Sequence, residues 1–291
     1  MATLRDIRRR IRSVEKTQQI TSAMRMVAAA KLRRAQNAIL AARPYSQRIW
    51  ATLYEVGRRE SGLEHPLLRP HERHERLEVL VISSDRGLCG AYNANAIKAA
   101  TAAIAEGLTE FRQVVVSTVG QKATEHFRRR HSLARSWSIG ARVEYALAVE
   151  IAKHLADRYE SGEIDGVVVV FNEFVSALTQ RPQTVRLLPL VPDFSRLRSY
   201  DPDQGREPYE IEPSPAAVME ALVPLALEYS VFRGLLENQA GEYAARMTAM
   251  ESATRNTEEL IRSLTLQFNR ARQAAITREL VEIVSGAEAL H

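Results

Sequence analysis

The stretch LRDIRRRIRSVEKTQQITSAMRMVAAAKLRRAQNAIL, residues 4–40, carries apolar or small residues at alternating steps of three and four positions. This spacing places them on one face of a helix and predicts a coiled-coil seam sustained over five heptads. The pattern resumes at Ile49, and Gly57 with Ser61–Gly62 marks its end, so residues 1–60 are predicted to form one coiled-coil helix. The seam consists of Leu4, Ile7, Ile11, Val14, Gln18, Thr21, Ala28, Leu32, Ala35 and Ile39.

A second long helix is predicted over residues 214–286. Ser214 suits a helix N-cap and Pro215 the first helical position, and no strong stop follows before Ser285–Gly286. Beyond Gln267 the apolar pattern shifts register, which predicts an interruption of the heptads. Its seam is predicted as Val218, Leu222, Leu225, Tyr229, Phe232, Leu236, Tyr243, Met250, Ala253, Leu260 and Leu264, continuing as Phe268, Ala271 and Ala275. Kinks are predicted at Pro44 and Pro224.

The middle of the chain, residues 75–200, alternates strand-like apolar runs with helical ones. Such alternation predicts a central α/β domain with a parallel or mostly parallel sheet. The predicted strands lie at 79–83, 114–119, 167–171 and 185–191, and the predicted helices at 121–130, at 143–159 and from Asn93. The acidic, proline-containing stretch 201–215 is predicted to close this domain as a loop.

Two long terminal helices that flank one compact domain can bury their seams against each other. The predicted fold class is therefore α/β plus a long helical hairpin: an antiparallel coiled coil of the N- and C-terminal helices with a central Rossmann-like domain. The second helix is the longer one, so its end should extend past its partner as an apolar tip. Ile283, Val284 and Leu290 would be exposed there, and such an apolar surface predicts cover by another protein.

Composition narrows the classes of function. The single cysteine, Cys89, excludes a disulfide framework, and no run of consecutive apolar residues reaches the length of a membrane span, so we expect a soluble chain. The net charge of +5 is uneven, because residues 1–60 carry fourteen Lys and Arg against four acids. A basic arm of this kind suits nucleic acid, anionic lipid or an acidic protein surface, and charge alone does not choose among them.

Two short motifs invite functional hypotheses. SDRGLCGAYN, residues 83–92, could form a phosphate-binding turn, but it lacks both G-x-G-x-x-G and G-K-[ST], which favours a tight packing turn. HERHERL, residues 71–77, lacks the H-E-x-x-H spacing of zinc proteases and is interpreted as a solvated loop. We therefore predict no catalytic, cofactor or metal site. Two alternatives remain. The first is a nucleotide-binding α/β enzyme with helical arms, which calorimetry with ATP or NAD would test. The second is a basic coiled-coil nucleic-acid binder, which salt-dependent DNA affinity would test.

Polar residues interrupt the apolar helix pairing. Each of them weakens a two-stranded coil, so they either fix its register or face a third protein. The small side chains of MVAAAK, residues 26–31, offer a smooth surface without deep anchors, as a shaft turning inside a sleeve requires. The polar positions are Gln18, Thr21, Arg25, Arg246 and Asn256.

Three segments together carry a family resemblance over essentially the whole chain. TQQITSAMRMVAAAKLRRAQ (17–36), SDRGLCGAYN (83–92) and NRARQAAITRELVEIVSGAEAL (269–290) resemble the gamma subunit of the rotary proton-translocating ATP synthase. The resemblance implies a non-catalytic central-stalk rotor that couples proton flow through the membrane sector to ATP synthesis and hydrolysis at the beta subunits. The last segment keeps the signature residues Ile276, Thr277, Glu279, Glu282, Gly286 and Ala287.

The resemblance also implies partners and a location. The expected partners are three alpha and three beta subunits, the epsilon subunit and a ring of c subunits, with no nucleic acid and no cofactor. The chain would lie at the cytoplasmic face of a bacterial plasma membrane, peripheral to it through the c ring. A regulatory disulfide of the chloroplast type is not expected, because Cys89 has no second cysteine to pair with.

Individual roles follow from the resemblance in the same way. Met24 and Arg25 are expected against an acidic loop of a beta subunit, with Arg246 coupled to Met24. Arg272, Gln273 and Thr277 are expected to contact beta higher in the ring, and the apolar tip to sit in an apolar collar. Tyr209 and Glu212 are expected to contact the c ring. Ile211 stands between them, where the resemblance implies an aromatic residue.

Overall fold

The structure is a computed structural model that describes residues 3–59, 65–190 and 211–288. Its contacts cluster into two compact units, one drawn from Met1–Ala29 with Arg246–His291 and the other Ala30–Ala245. The elements in chain order are α1 (Leu4–Arg59), a short 3-10 helix (Pro66–Leu68), β1 (Arg76–Ile82), α2 (Tyr92–Glu110), β2 (Gln113–Val119), α3 (Gln121–Phe127), β3 (Leu133–Trp137), α4 (Tyr145–Glu160), β4 (Gly166–Phe174), β5 (Gln180–Leu188) and α5 (Pro215–Glu288).

The five strands form one sheet in the second unit, in the order β3-β2-β1-β4-β5. β1 pairs in parallel with both β2 and β4, and β2 pairs in parallel with β3. β5 runs antiparallel to β4 at the edge. The prediction of a mostly parallel sheet between helices is therefore confirmed.

Both faces of this sheet are covered, which explains why its central strands β1, β2 and β4 are largely apolar. Leu80 and Ile82 of β1 belong to a core cluster with residues of α1, α4 and α5. Val79 and Val81 of the same strand belong to a second cluster with residues of α2 and α3. Adjacent β1 side chains thus fill two different cores, as the alternation of a strand requires.

Strand β3 was not predicted from the sequence. Residues 134–136 are exposed, so this edge strand has no apolar signal of the kind that marks β1, β2 and β4. The helix predicted at 121–130 was also too long, because α3 ends at Phe127. Tertiary pairing with β2, not local composition, makes β3 a strand.

The two long helices run antiparallel, as predicted. In the first unit Arg8 lies over the ring of Phe268, Gln18 bonds Glu258, and Thr21 bonds Thr254. In the second unit Lys31 lies over the Tyr243 ring, and the Tyr45 and Tyr229 ring centroids are 4.7 Å apart. In each unit the partner number on α5 falls as the number on α1 rises.

The predicted seam of α5 differs from the observed one between Met250 and Leu264, because Thr254 and Ile261 replace Ala253 and Leu260 and Thr257 is added. Leu260 is 47% exposed, whereas Ile261 beside it is half-buried. With residue 261 in the seam, the steps of three and four continue unbroken, and the predicted interruption near Gln267 is wrong. Leu260 and Ile261 are both apolar and adjacent, so the sequence does not distinguish which of them faces the partner helix. The shielded positions are Met250, Thr254, Thr257, Ile261, Leu264, Phe268, Ala271 and Ala275.

The start of α5 agrees with the prediction, but its end does not. Ser214 Oγ accepts a hydrogen bond from the Ala217 N–H at 3.2 Å, so it caps the helix as predicted. At the other end the helix continues to Glu288, and Gly286 does not stop it. Pro44 and Pro224 both lie inside continuous helices.

α5 is also the one helix in the described residues that is long and apolar enough to cross a membrane, judged by length and composition alone. Val223, Leu227 and Val231 of this helix are completely buried in the core of the second unit. Packing against the sheet domain accounts for their apolar character.

Candidate coupling surfaces

The first unit has a polar groove between its two helices. Arg25 and Met26 of α1 lie on one wall, and Glu251 and Glu258 of α5 lie on the other. Met26 is 60% exposed, while Met24 and Arg25 are half-buried. Arg25 makes no hydrogen bond or ion pair within the described residues, so its charge is available to another molecule. Sequence analysis did not predict that α5 contributes acidic residues to this groove. The signal was present, because Glu251 and Glu258 are spaced two helical turns apart and so lie on one face of α5.

The polar seam residues divide into two groups. Gln18 donates to the Glu258 carboxylate at 3.2 Å, and the hydroxyls of Thr21 and Thr254 lie 2.9 Å apart with both residues buried. Gln18 and Thr21 therefore form hydrogen bonds across the helix pair, which favours the interpretation that these two polar residues fix its register. Asn256 is exposed and Arg246 is half-buried.

We expect Thr254→Val to loosen the first unit locally, because it leaves the buried Thr21 hydroxyl without its cross-helix partner. Thr21 keeps its hydrogen bond to the Gln18 carbonyl oxygen, so the expected cost is the net value of one hydrogen bond, about 0.5–1.5 kcal/mol, measured by hydrogen exchange of the amides around residue 254. The double variant Thr21→Val with Thr254→Val should restore most of the protection, since two apolar groups of the same shape replace the pair. Equal loss in the single and double variants would show that the hydroxyl pair does not matter.

The distal part of α5 presents three polar candidates and an apolar end. Arg272, Gln273 and Thr277 are all exposed, on positions outside the seam. Ile283 is 68% exposed and Val284 is 57% exposed. Leu290 lies outside the described residues. Ile276, Leu280 and Val281 are also exposed large apolar residues, so apolar surface extends over several turns.

The structure describes only some of the residues that are expected to contact the c ring. Tyr209 lies outside the described residues, and Glu212 is exposed just before α5 begins. Ile211 is half-buried and packs against the core of the second unit. The residue that departs from the family pattern therefore has a packing role of its own.

The turn SDRGLCGAYN uses its polar groups internally. The Asp85 carboxylate accepts hydrogen bonds from the backbone N–H groups of Gln121, Ile139 and Gly140, at 2.9–3.1 Å. One of these donors, Gln121, is the first residue of α3, a position where a phosphate could otherwise bind. The protein's own carboxylate fills that role at the start of α3, and Cys89 within the turn is buried. These contacts favour the interpretation of the segment as a packing turn.

The histidines of HERHERL are likewise engaged within the domain. His71 Nδ1 lies 3.1 Å from the Asp165 carboxylate, and the His74 ring stacks on Phe111. Burial works to raise the pKa of Asp165, but hydrogen bonds from the Arg76 N–H, His71 and the Glu75 N–H hold it below its ordinary value. Within the described ranges, no group of three or more His, Cys, Asp or Glu residues could hold a metal ion.

A pair of long antiparallel helices attached to a sheet domain, with exposed apolar and basic surfaces, defines a protein that works through contacts with other subunits. Comparison with known proteins gives the family. The family described as ATP synthase matches residues 3–290. The chain is 45% identical over 292 residues to the ATP synthase gamma chain of Pelotomaculum thermopropionicum and 47% identical over 292 residues to that of Desulforamulus reducens, with full coverage of both chains in each case.

Solved structures agree on the fold. The central stalk of Tetrahymena thermophila mitochondrial ATP synthase matches with a TM-score of 0.58 and 26% identity, covering 80% of this chain and 99% of that one. A chain of Euglena gracilis mitochondrial ATP synthase matches with a TM-score of 0.66 and 21% identity, covering 99% and 94%. The chain belongs to the ATP synthase gamma chain family, the non-catalytic central-stalk subunits of an enzyme whose catalysis occurs in the beta subunits.

Proposed function

We propose that this chain is the rotor shaft of a bacterial ATP synthase with three alpha subunits, three beta subunits, an epsilon subunit and a c ring. It couples proton flow through the membrane sector to the binding states of the beta subunits, at the cytoplasmic face of the plasma membrane. Membership in the gamma chain family, together with the helix pair, supports this proposal. The single observation that carries it is α5, one continuous helix of 74 residues with an exposed apolar end.

The proposed beta contacts lie at two levels of the hairpin. Met24, Arg25 and Arg246 form the lower level, where the half-buried Arg25 has a charge without a partner in the described residues. An acidic loop of a beta subunit suits this basic helix, and a contact made at the surface is weak enough to break in each turn. Arg272 and Gln273 with Thr277 form the upper level, where their exposed polar groups face outward.

Two further contacts are proposed, one with the c ring and one with an apolar collar. Glu212, exposed before α5, and Tyr209 are proposed to meet the c ring. Ile283 and Val284, with Leu290, are proposed to turn inside an apolar collar formed by the alpha and beta subunits. An apolar collar suits a bearing, because apolar contact is non-directional and opposes rotation little.

Reconstitution tests the proposal. Alpha and beta subunits assembled with this chain should show a gain in ATP turnover and should retain the chain through gel filtration. Co-expression with epsilon should allow epsilon to be recovered with the tagged chain. Assembly without a gain in turnover and without retained chain would refute the proposed function.

Met24→Lys is expected to reduce coupling. The new ammonium group would form a charge-assisted hydrogen bond with the acidic loop, about 1.5–3 kcal/mol in strength, that must be broken in each turn. That step would slow roughly tenfold or more, since 1.4 kcal/mol corresponds to a factor of ten. Proton pumping per ATP hydrolysed, measured in membrane vesicles, should fall. Met24→Leu is the matched control, and a ratio unchanged by the lysine would remove Met24 from the contact.

A further inference from the structure

A cavity lies between α1 and α5 within the second unit, and its lining includes none of the contact residues proposed above. Its volume is about 310 Å³, at the lower end of the range for small-molecule pockets. The apolar part of its wall mixes aliphatic and aromatic side chains. These are Ile39, Ala42, Tyr229, Phe232 and Leu236.

The charged groups at this cavity do not balance. The Glu237 carboxylate is 7% exposed, accepts the Phe174 N–H at 3.0 Å and lies 3.9 Å from the Arg233 guanidinium. The charge of Glu237 is thereby paired with that of Arg233. Arg43 is the second cation in the wall and is exposed to solvent. Burial raises the pKa of Glu237 overall, while the charges of Arg233 and Arg43 both act to lower that pKa. Within the described residues Arg43 makes no hydrogen bond or ion pair, so the wall carries two cations and one acid.

We propose that this cavity binds a small amphipathic monoanion, a compact apolar or aromatic body that bears one carboxylate or sulfonate. The body would bury against Tyr229 and Phe232, where aromatic walls supply large contact areas. The anionic group would take two N–H donors of Arg43, whose planar fork matches an oxyanion. A cation would meet two guanidinium groups, and a nucleotide would bring several negative charges to a wall whose two arginines and one glutamate leave a single net positive charge.

Such a ligand would contact both long helices at once. Because it binds the folded chain and bridges α1 to α5, it should raise the stability of this unit in proportion to its occupancy. This inference is independent of the proposed rotor function, since it requires no other subunit.

Two fluorescent probes of nearly equal shape test the inference on the purified full-length chain. 8-Anilinonaphthalene-1-sulfonate is an amphipathic monoanion, and N-phenyl-1-naphthylamine has the same aromatic body without the sulfonate. Saturable binding at one site is expected, with the sulfonate bound roughly tenfold more tightly than the neutral probe. A neutral probe that binds equally well would overturn the anionic part of the proposal.

Variants locate the site. Arg43→Gln should remove most of the preference for the sulfonate, whereas Arg34→Gln, a matched change at an exposed α1 arginine outside the cavity wall, should leave it intact. Ala42→Phe should abolish binding of both probes by filling the cavity. Far-UV circular dichroism and melting temperature check that the phenylalanine variant folds, and Arg43→Gln decides the question if it does not. Binding unaffected by Arg43→Gln would overturn the proposal.

Discussion

Arg158→Met is expected to lower the free energy of unfolding of the sheet domain by about 3–5 kcal/mol, because it leaves the buried Glu78 carboxylate without its cation. Glu78 lies in β1 and is completely buried. Arg158 of α4 donates to one carboxylate oxygen, and the Ser117 hydroxyl donates to the other at 2.5 Å. The arginine also donates to Glu163 at 2.7 Å, so it joins α4 to β1 and to the loop before β4.

The effect should depend on pH in a defined direction. Burial raises the pKa of Glu78 above its ordinary value of 4.5, against the lowering effects of Ser117 and Arg158. Since the folded state then binds its proton more tightly than the unfolded state, this group contributes less stability as pH rises above 4.5. Removal of Arg158 raises this pKa further, so the difference between variant and wild type should be largest near neutral pH and should shrink toward pH 4.5.

His154 strengthens this trend. Its Nε2 is buried without a hydrogen-bond partner in the described residues and lies 3.9 Å from the Glu78 carboxylate. Burial, with the nearby charges of Arg158 and Arg135, lowers the pKa of His154. When Arg158 is absent, His154 can accept a proton more readily and compensate part of the Glu78 charge at acidic pH.

Urea denaturation followed by circular dichroism measures these differences, with Arg112→Met as the matched control. Arg112 pairs with Glu75 at 3.5 Å, but both side chains are largely exposed, so its loss should cost no more than about 1 kcal/mol. The double variant Glu78→Gln with Arg158→Met should recover part of the loss, because no buried charge remains. Equal costs for Arg158→Met and Arg112→Met would contradict the assignment of a buried ion pair.

Gly120→Ala is the second substitution from which we expect a large loss of stability. Gly120 joins β2 to α3 with φ of +95°, a region that residues with a side chain rarely adopt. An added Cβ would lie 2.5 Å from the Ser83 carbonyl oxygen, and that backbone cannot move without breaking the turn after β1. Backbone strain and steric overlap together should cost about 2–5 kcal/mol.

Gly140→Ala separates these two causes. Gly140 has φ of +73°, but nothing lies within 4 Å of the Cβ that alanine would introduce. Its cost should be limited to the backbone term, about 1–2 kcal/mol. Thermal denaturation of both variants gives the comparison. A Gly120→Ala variant as stable as Gly140→Ala would show that the Ser83 turn yields to the added methyl group.

The candidate contact residues show which parts of a contact surface a sequence can propose; their contacts with other subunits stay predictions. The signature around Thr277 and the segment around Met24 are each contiguous in the chain, so a family resemblance could identify them from the order of residues alone. The α5 wall of the groove near Arg25 could not be found that way, because Glu251 and Glu258 lie more than 200 positions away. Only the antiparallel pairing places them beside that arginine.

Sequence patterns predicted the two long helices, the mostly parallel sheet between them and the family. Each of these depends on local periodicity, on capping residues such as Ser214, or on contiguous motifs. The packed structure was needed to show that Ile261 and not Leu260 enters the seam, that β3 is a strand, and that Glu78 meets Arg158. The physical reason is that burial and pairing are set by neighbours far away in the chain, and short-range patterns contain no record of those neighbours.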